Sequence, residues 1–306
     1  METMKLSSDE ILKLQNLGRG ACATVYRYDD NFVIKVFNEK GLELHDEESF
    51  SALVGVKNET CVFPESLVEV DGNFQGYAMQ YIEGTELHNV ARELNFRKII
   101  EAIQKVEEDL KTLASDRILF QDLNQGGIMW SNEGKIKIID TDFFQKNEDI
   151  TEEQAYSHNL ESFNSMIEME LGILMGQSNS VADFLQSNAE YNQLYMNYML
   201  SSLNGNNMSV TELLNKAMET FEHEFEVVPG NISEMEKILK ENNLFIQDEV
   251  ETEIPIFEPP SIDEIPTFSE IDIGKTTIDV PVQQKEKAQK QVVRDEQELE
   301  QGEIKE

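Results

Sequence analysis

Short apolar runs separated by turn residues dominate the first part of the chain, between residues 15 and 82. The runs at residues 66–70 and 74–82 are joined by Asp71-Gly72, a dipeptide typical of a tight β-hairpin. From residue 95 the spacing of apolar side chains changes to intervals of three and four, which indicates a helix. This helix carries Ile99, Ile100, Ile103, Val106 and Leu110. The hydrophobic pattern therefore predicts an α+β protein, strand-rich first and helical afterwards.

Further helices are predicted in the second half of the chain, where they would form an all-helical part. Their predicted spans are residues 160–175, 181–188, 191–203, 210–223 and 231–243. From about Gln247 the composition shifts to acidic, proline-spaced sequence and then to mixed-charge, glutamine-rich sequence as far as Glu306. This composition is typical of a disordered acidic tail. The predicted organisation is therefore residues 1–79, residues 80–243 and a tail of residues 244–306.

The predicted tail contains a short near-repeat, EIPIF at residues 253–257 and EIPTF at residues 264–268. Isolated apolar residues in an acidic context can be docking motifs, and such a tail would suit a basic partner. The plainer interpretation is a solubilising tail in which the similarity is accidental. In either interpretation the tail is dispensable for folding, because it has too little clustered apolar surface to offset the entropy of ordering it.

The net charge of −35, from 60 acidic and 25 basic residues, narrows the choice of partners. Nucleic-acid backbones and anionic membranes both require a positive face, so we expect the protein to bind neither. No apolar run is long enough to cross a bilayer, and the first residues lack the pattern of a signal peptide. These features predict a cytoplasmic protein. Cys22 and Cys61 are too few for a disulfide framework, and the histidines show no metal-binding spacing.

Two aspartates end short apolar strands within residues 118–144. An apolar lead-in places Asp122 at the end of the first strand, and residues 132–134 (Asn-Glu-Gly) are typical of a hairpin turn. The return strand after this turn would bring Asp140 beside Asp122. Such a pair suits one carboxylate to a hydroxyl group and the other to Mg²⁺. The alternative interpretation is a β-hairpin with two surface aspartates.

A glycine-containing hairpin and a strand lysine precede this pair of aspartates. The segment LGRGACATVY contains Gly18, Gly20 and Val25, and its glycines would let the backbone approach a phosphate group. Lys35 lies within the apolar run VIKVF, where an ammonium group requires a partner because the strand is otherwise suited to burial. The alternative for the loop alone is an ordinary hairpin with a glycine turn.

These features, together with the run AMQYIEG at residues 78–84, occur in an order that resembles the protein-kinase-like superfamily. That family has a loop G-x-G-x-x-G-x-V, a strand lysine, a hinge, a catalytic loop H-R-D-L-x-x-x-N and a metal-binding turn D-F-G. The form D-T-D-F at residues 140–143 is similar to bacterial, divergent members. The resemblance implies a bilobal fold, with a β-rich N-lobe and a helical C-lobe, that binds ATP and Mg²⁺.

The resemblance also implies roles for individual residues. Asp122 would orient or deprotonate the acceptor hydroxyl, Asp140 would hold Mg²⁺, and Lys35 would neutralise the phosphates. Glu48, or alternatively Glu47, would pair with this lysine from a helix over residues 42–56. The residues expected around the nucleotide are Gly18, Gly20, Val25, Lys35, Glu48, Met79, Gln80 and Tyr81.

The chain departs from the family pattern at several places. Gly127 stands where the family has a metal-binding asparagine, which leaves Asn124 and Asp142 as candidate metal ligands beside Asp140. Restoring an asparagine at position 127 would then be expected to raise turnover. Gln121 replaces the arginine that precedes the catalytic aspartate in the family, and the segment after residue 144 is short, with no platform for a peptide.

Three functions remain open. The first expectation is an ATP- and Mg²⁺-dependent Ser/Thr protein kinase that acts on a protein substrate or on itself, because Lys35, Asp122 and Asp140 are present together. The second is a pseudokinase that works as a nucleotide-binding or interaction module, which Gly127 and Gln121 favour. The third is a small-molecule kinase, which the missing peptide platform would suit.

Overall fold

A six-stranded sheet forms the N-terminal part of the protein. The computed structural model describes residues 3–45, 47–171, 180–203 and 208–244. The strands of the sheet are β1 (Thr3–Leu6), β2 (Gln15–Arg19), β3 (Ala23–Arg27), β4 (Phe32–Phe37), β5 (Pro64–Val70) and β6 (Asn73–Gln80). They lie in the order β1-β5-β6-β4-β3-β2, and all neighbours are antiparallel except β1 and β5.

The turn between β5 and β6 confirms the hairpin predicted from its dipeptide. Asp71 and Gly72 both adopt positive φ angles, of 51° and 84°. Two such residues give a turn whose twist matches that of the flanking strands. The turn therefore fixes the pairing of β6, the strand that ends at the predicted hinge.

Alternation along β4 decides which face of the sheet carries Lys35. Ile34 is buried on one face, whereas Val33 and Phe37 are buried on the other. Since successive side chains of a strand point to opposite faces, Lys35 shares the face of Val33 and Phe37. In the register of the sheet it stands directly opposite Tyr77 of β6, whose side chain is fully buried. The lysine is thus placed against a buried phenol.

Three short helices connect strands of this sheet. Helix α1 (Ser8–Ile11) joins β1 to β2, and α2 (Glu39–Leu44) and α3 (Glu47–Ser51) lie between β4 and β5. The single helix expected over residues 42–56 is wrong, because the chain forms two helices separated by extended backbone at His45. The His45 ring is buried and stacks on Phe37, with 4.9 Å between ring centroids. Turning this ring into the core interrupts the helical path.

The C-terminal part begins with two small sheets around a long helix, α4 (Phe96–Ser115). One sheet has the order β10-β9-β7 and is formed by β7 (Gly84–Glu86), β9 (Ile128–Ser131) and β10 (Ile136–Ile138). The other pairs β8 (Ile118–Leu119) with β11 (Gln145–Lys146). Short 3₁₀ helices cover Leu87–Asn89, Ala91–Glu93 and Gln125–Gly127. The hairpin β9–β10 is the one that the sequence predicts between the two aspartates.

Five more helices complete the described C-terminal part. They are α5 (Glu152–Leu171), α6 (Ser180–Ser187), α7 (Ala189–Leu203), α8 (Val210–Phe225) and α9 (Ile232–Glu241). The apolar residues predicted to line α4 are all buried, so its periodicity is confirmed. Helix α5 starts well before residue 160, the predicted start. The prediction missed its first turns because residues 152–158 are mostly polar or charged and show no helical spacing of apolar side chains.

The described structure is therefore a mixed α+β protein with a sheet-rich N-terminal part and a helical C-terminal part. The predicted tail beyond Leu244, including both EIP motifs, lies outside the described residues. Within residues 3–45, 47–171, 180–203 and 208–244, no helix combines the length and apolarity needed to cross a membrane.

One carboxylate in the helical core lacks a partner. Glu170, in the last turn of α5, is only 5% exposed, and neither of its carboxylate oxygens has a hydrogen-bond partner in the described part of the chain. Burial raises the pKa of Glu170 to about 7. The charge of His88 acts to lower this pKa, and the charge of Glu86 acts to raise it. An acid whose folded pKa is raised binds its proton more tightly when folded, so stability falls as the pH rises through this range.

We expect Glu170→Gln to stabilise the protein by about 2–3 kcal/mol at pH 8 and to have little effect at pH 4.5, because the amide stays neutral. The pH dependence of stability between about 4.5 and 7 should weaken in the variant. Chemical denaturation of both proteins across this range measures the difference. The matched control is Glu153→Gln, an exposed residue in the first turn of the same helix. Equal slopes for wild type and Glu170→Gln would contradict the prediction.

Candidate functional site

Four polar side chains meet between the sheet and the C-terminal part. Lys35 Nζ lies 2.5 Å from Asp140 Oδ1 and 2.5 Å from Asp142 Oδ2. The second oxygen of Asp142 accepts a hydrogen bond from the Tyr77 hydroxyl. Strands β4 and β6 supply the lysine and the tyrosine, and the loop after β10 supplies both aspartates. Residues far apart in the chain thus form one network of charge-assisted hydrogen bonds.

The pKa values follow from burial and from these partners. Burial acts to lower the pKa of Lys35, but the charges of Asp142 and Asp140 outweigh it, so the pKa lies above its ordinary value. Burial raises the pKa of Asp142 even though Lys35 acts to lower it. Burial and the neighbouring Asp142 raise the pKa of Tyr77 well above its usual range, which keeps the phenol a hydrogen-bond donor. The lysine therefore stays charged at neutral pH.

Asp122 faces the same pocket from a strained turn. Its backbone is left-handed, with φ of 52°, a conformation that aspartate tolerates better than most residues. The side chain is exposed and forms no ion pair with any residue that the structure describes. Its carbonyl oxygen accepts a hydrogen bond from Asn124 Nδ2, which also lies 3.3 Å from Asp140 Oδ2. Asn124 thus connects the two predicted catalytic aspartates.

Helix α5 fixes the strand that leads to Asp122, a contribution that the sequence did not reveal. The buried amide of Asn159 accepts from the Phe120 N–H and donates to the Ile118 carbonyl, both at 2.8 Å. His158 Nε2 lies 2.8 Å from the Phe120 carbonyl oxygen. The one available signal was a polar pair, His-Asn, at the start of an apolar helical run. These bonds hold the backbone just before Asp122.

The pocket combines a polar end with an apolar slot. Val25, Met79 and Ile139 provide its apolar lining, and Lys35, Asp122, Asp140 and Asp142 provide its charged lining. Its volume is about 290 Å³. The tip of the glycine hairpin, residues 20–23, closes one side. A slot of this kind, apolar with a few convergent charges, is typical of a small-molecule or cofactor site.

The loop tip is held in place by the residue that caps α2. The Asn38 backbone N–H donates to the Cys22 carbonyl at 2.9 Å, and its side-chain amide donates to the Ala21 carbonyl at 2.9 Å. Gly20 lines the pocket, and its N–H donates to the Ala23 carbonyl at 2.8 Å. Gly18 lies outside the pocket lining, on the exposed strand β2. Of the two predicted loop glycines, the structure brings only Gly20 to the site.

Two further expectations differ from what the structure places here. Glu48 is exposed on α3, and it is not among the ion-pair partners of Lys35 within the described chain. Gln80 and Tyr81 line a separate outer hollow with Arg27. The N–H of Tyr81 donates to a loop carbonyl at 2.7 Å, and its ring lies 3.4 Å below the Arg27 guanidinium. Of the predicted hinge residues, only Met79 lines the pocket.

Gly127 packs directly against Asp140. A Cβ added at Gly127 would lie 2.9 Å from the Asp140 Cβ, closer than real contacts of this kind. The Gly127 carbonyl also accepts from the Ile139 N–H at 2.8 Å, which ties this turn to the end of β10. The structure therefore opposes the expectation that asparagine at position 127 would raise turnover, because any side chain there would push Asp140 away.

We expect Gly127→Ala to destabilise the protein by about 1–3 kcal/mol through this overpacking. The measurement is chemical denaturation at neutral pH. Gly126→Ala is the matched control, since a Cβ at Gly126 would meet only the Asn124 side-chain oxygen, at an ordinary 3.5 Å. Equal stability of the Gly127→Ala and Gly126→Ala proteins would show that Asp140 can shift without cost.

The carboxylates of this pocket fit a metal ion that is held only partly by the protein, and otherwise by a bound small molecule and water. Among the described residues, no group of three or more His, Cys, Asp or Glu side chains is arranged to hold a metal ion. Mg²⁺ in nucleotide sites uses one or two protein groups together with phosphate oxygens and water. Asp140, which is 34% exposed, and the neighbouring Asn124 fit that pattern. Asp142 does not, since its side chain is only 4% exposed and is bonded to Lys35 and Tyr77.

Comparison with known proteins adds no relative. No protein-family model matches the chain, and no curated protein matches it either. The contacts of the site and the ordered motifs of the sequence are therefore the features of the chain that indicate a function.

Proposed function

We propose that the protein is an ATP- and Mg²⁺-dependent phosphotransferase of the protein-kinase-like fold. The sheet-rich part would be its N-lobe, and residues 80–243 would be its C-lobe. The observation that carries the proposal is the ion pair of 2.5 Å between Lys35 and Asp140, in a pocket that Asp122 also lines. Three separate elements supply these residues, and their types match those needed for phosphoryl transfer.

In this mechanism the protein positions charge and does little covalent chemistry. Lys35 neutralises the phosphates, and Asp122 orients the acceptor hydroxyl and accepts its proton. Asp140 and Asn124 are the residues that would hold Mg²⁺, whose charge stabilises the phosphate oxygens when it is bound. The base would occupy the slot formed by Val25, Met79 and Ile139.

The backbone after Met79 offers the slot no hinge-type contact. The Tyr81 N–H is bonded to the Asn31 carbonyl at 2.7 Å, and Gln80 and Ile82 line the separate outer hollow with Tyr81. The contact proposed for the base in this segment is therefore the side chain of Met79.

The favoured acceptor is a serine or threonine hydroxyl, on a protein substrate or on this chain. The freely exposed carboxylate of Asp122 suits a large acceptor, because no described residue covers it with an ion pair. A second candidate is a nucleotide-binding pseudokinase. It is favoured by the ion pairs of Lys35 with Asp140 and Asp142, because a ligand phosphate must compete with both carboxylates for the ammonium group. A small-molecule acceptor remains the third candidate, because the segment after residue 144 is short and its sequence offers no platform for a peptide.

The test uses the purified full-length protein with Mg²⁺ and γ-labelled ATP, alone and with a mixture of protein substrates. We expect label on the protein itself or on an added substrate, and ATP binding by calorimetry. Label recovered only in the small-molecule fraction would identify a small-molecule kinase. Binding without transfer would favour the pseudokinase, and neither binding nor transfer would overturn the proposal.

A further inference from the structure

The buried partner of Lys35 comes from the loop after Asp140 and not from a helix. Asp142 Oδ2 lies 2.5 Å from Lys35 Nζ, and the other Asp142 oxygen accepts from Tyr77. The Asp142 side chain is 4% exposed, against 34% for Asp140. A carboxylate that is almost fully buried suits a permanent partner, whereas the more exposed Asp140 can turn toward a ligand.

The chain around Asp142 is fixed on both sides. Thr141, fully buried, donates from its hydroxyl to the Val62 carbonyl at 3.1 Å. Phe144 is buried and stacks on Phe120, with 4.6 Å between ring centroids. These contacts tie the loop to the N-terminal part through Val62 and to the strand before Asp122 through Phe120. These contacts therefore define the position of Asp142.

Tyr77 is placed to hold Asp142 by the register of the sheet. It stands opposite Lys35 in the β4–β6 pairing, so both side chains reach toward the same carboxylate from adjacent strands. The phenol is fully buried and donates to Asp142. Strand pairing is set by many bonds at once, and it therefore positions this pair more firmly than a surface helix could.

Helices α2 and α3 offer no such partner. They are short and separated by the buried His45, and Glu48 on α3 is exposed. Glu48 lines a second hollow, which it shares with Asp142 and Lys146 and which does not include Lys35. The carboxylate partners of Lys35 are Asp140 and Asp142, and Glu48 is not among its ion-pair partners within the described chain.

We propose that Asp142, held by Tyr77, is the positioning residue for Lys35, in the role that the family resemblance gives to a helix glutamate. This inference rests on the phosphotransferase function proposed above. The lysine is then set by the sheet and by the loop that carries Asp140, and its placement does not depend on a movement of α2 or α3. Asp142 is excluded as a metal ligand.

A double-mutant cycle on the full-length protein without nucleotide tests the pairing independently of activity. Lys35→Met and Asp142→Asn should each lower the melting temperature by about 3 °C or more, and the double variant should lose clearly less than their sum. Lys35→Met combined with Glu48→Gln should be additive. Additivity with Asp142→Asn, or coupling with Glu48→Gln, would overturn the proposal. If Asp142→Asn does not fold, the cycle of Lys35→Met with Tyr77→Phe decides, and coupling is again expected.

Kinetics then separate positioning from metal binding. Asp142→Asn and Tyr77→Phe should lower kcat/KM for ATP by about tenfold, mainly in kcat, whereas Glu48→Gln should stay within about twofold. In Asp142→Asn and Tyr77→Phe, the Mg²⁺ concentration that gives half-maximal activity should stay within about twofold of the wild-type value. A large shift in that concentration would make Asp142 a metal ligand and overturn the inference. If the wild type transfers no phosphate, the proposed function fails, while the melting cycle still decides the partner of Lys35.

Discussion

Asp140→Ala is expected to lower phosphoryl transfer from ATP by roughly 10²–10³-fold, the scale seen when a charge-stabilising group is removed. Asp140 is the more exposed of the two carboxylates on Lys35, and its second oxygen lies 3.3 Å from Asn124. It is therefore the residue that can reach a metal ion on the phosphates. The variant keeps the Lys35–Asp142 pair, so the loop should retain its fold. Label transfer and Mg²⁺-dependent ATP binding measure the loss.

The control for Asp140→Ala is Asp149→Ala, an exposed aspartate in the segment after β11. This control should transfer phosphate at the wild-type rate. Transfer that survives Asp140→Ala would contradict the metal role of Asp140. A loss of folding in the variant would be detected by its melting curve, and Asp140→Asn would then replace it because the amide keeps the shape of the side chain.

The sequence was sufficient for the features that depend on local pattern. The Asp71-Gly72 turn, the apolar stripe of α4 and the β9–β10 hairpin follow from turn chemistry and from periodicity alone, and each is present. Asp122 and Asp140 were predicted from their positions at the ends of short apolar strands, and Lys35 from the need of a charge within an apolar strand for a partner. All three line one pocket. Local rules thus predicted the strand-borne half of the site.

The rest depends on distant contacts that no spacing encodes. The partner of Lys35 was predicted to be Glu48 on a single helix, but that helix is interrupted at His45. Asp142 lies within reach of Lys35 because the loop after β10 is tied to the N-terminal part by the bond from Thr141 to Val62. The tightness at Gly127 reflects the approach of two loops, which a glycine in the sequence indicates only in general. The exposure of Asp140 against the burial of Asp142 was equally invisible, although it separates their roles.

Asp122→Asn should lower kcat by roughly 10²–10⁴-fold, the usual contribution of a general base, while ATP binding changes little. Binding should persist because Asp122 forms no ion pair with the described groups that would hold the phosphates. Asparagine is chosen over alanine because Asp122 has φ of 52°, and asparagine tolerates this left-handed backbone as aspartate does. The backbone bond from Asn124 to the carbonyl of residue 122 is also kept.

The matched control is Asp71→Asn, which makes the same chemical change at φ of 51° in the β5–β6 turn, far from Lys35 in the fold. A similar loss of activity in both variants would point to a general effect of the lost charge. A wild-type kcat in Asp122→Asn would remove Asp122 from the reaction. If Asp122→Asn retains its ATP affinity but loses kcat, Asp122 acts in proton transfer. If Asp140→Ala loses both, Asp140 acts in metal binding. The two results differ because only Asp140 should contact the nucleotide before the acceptor arrives.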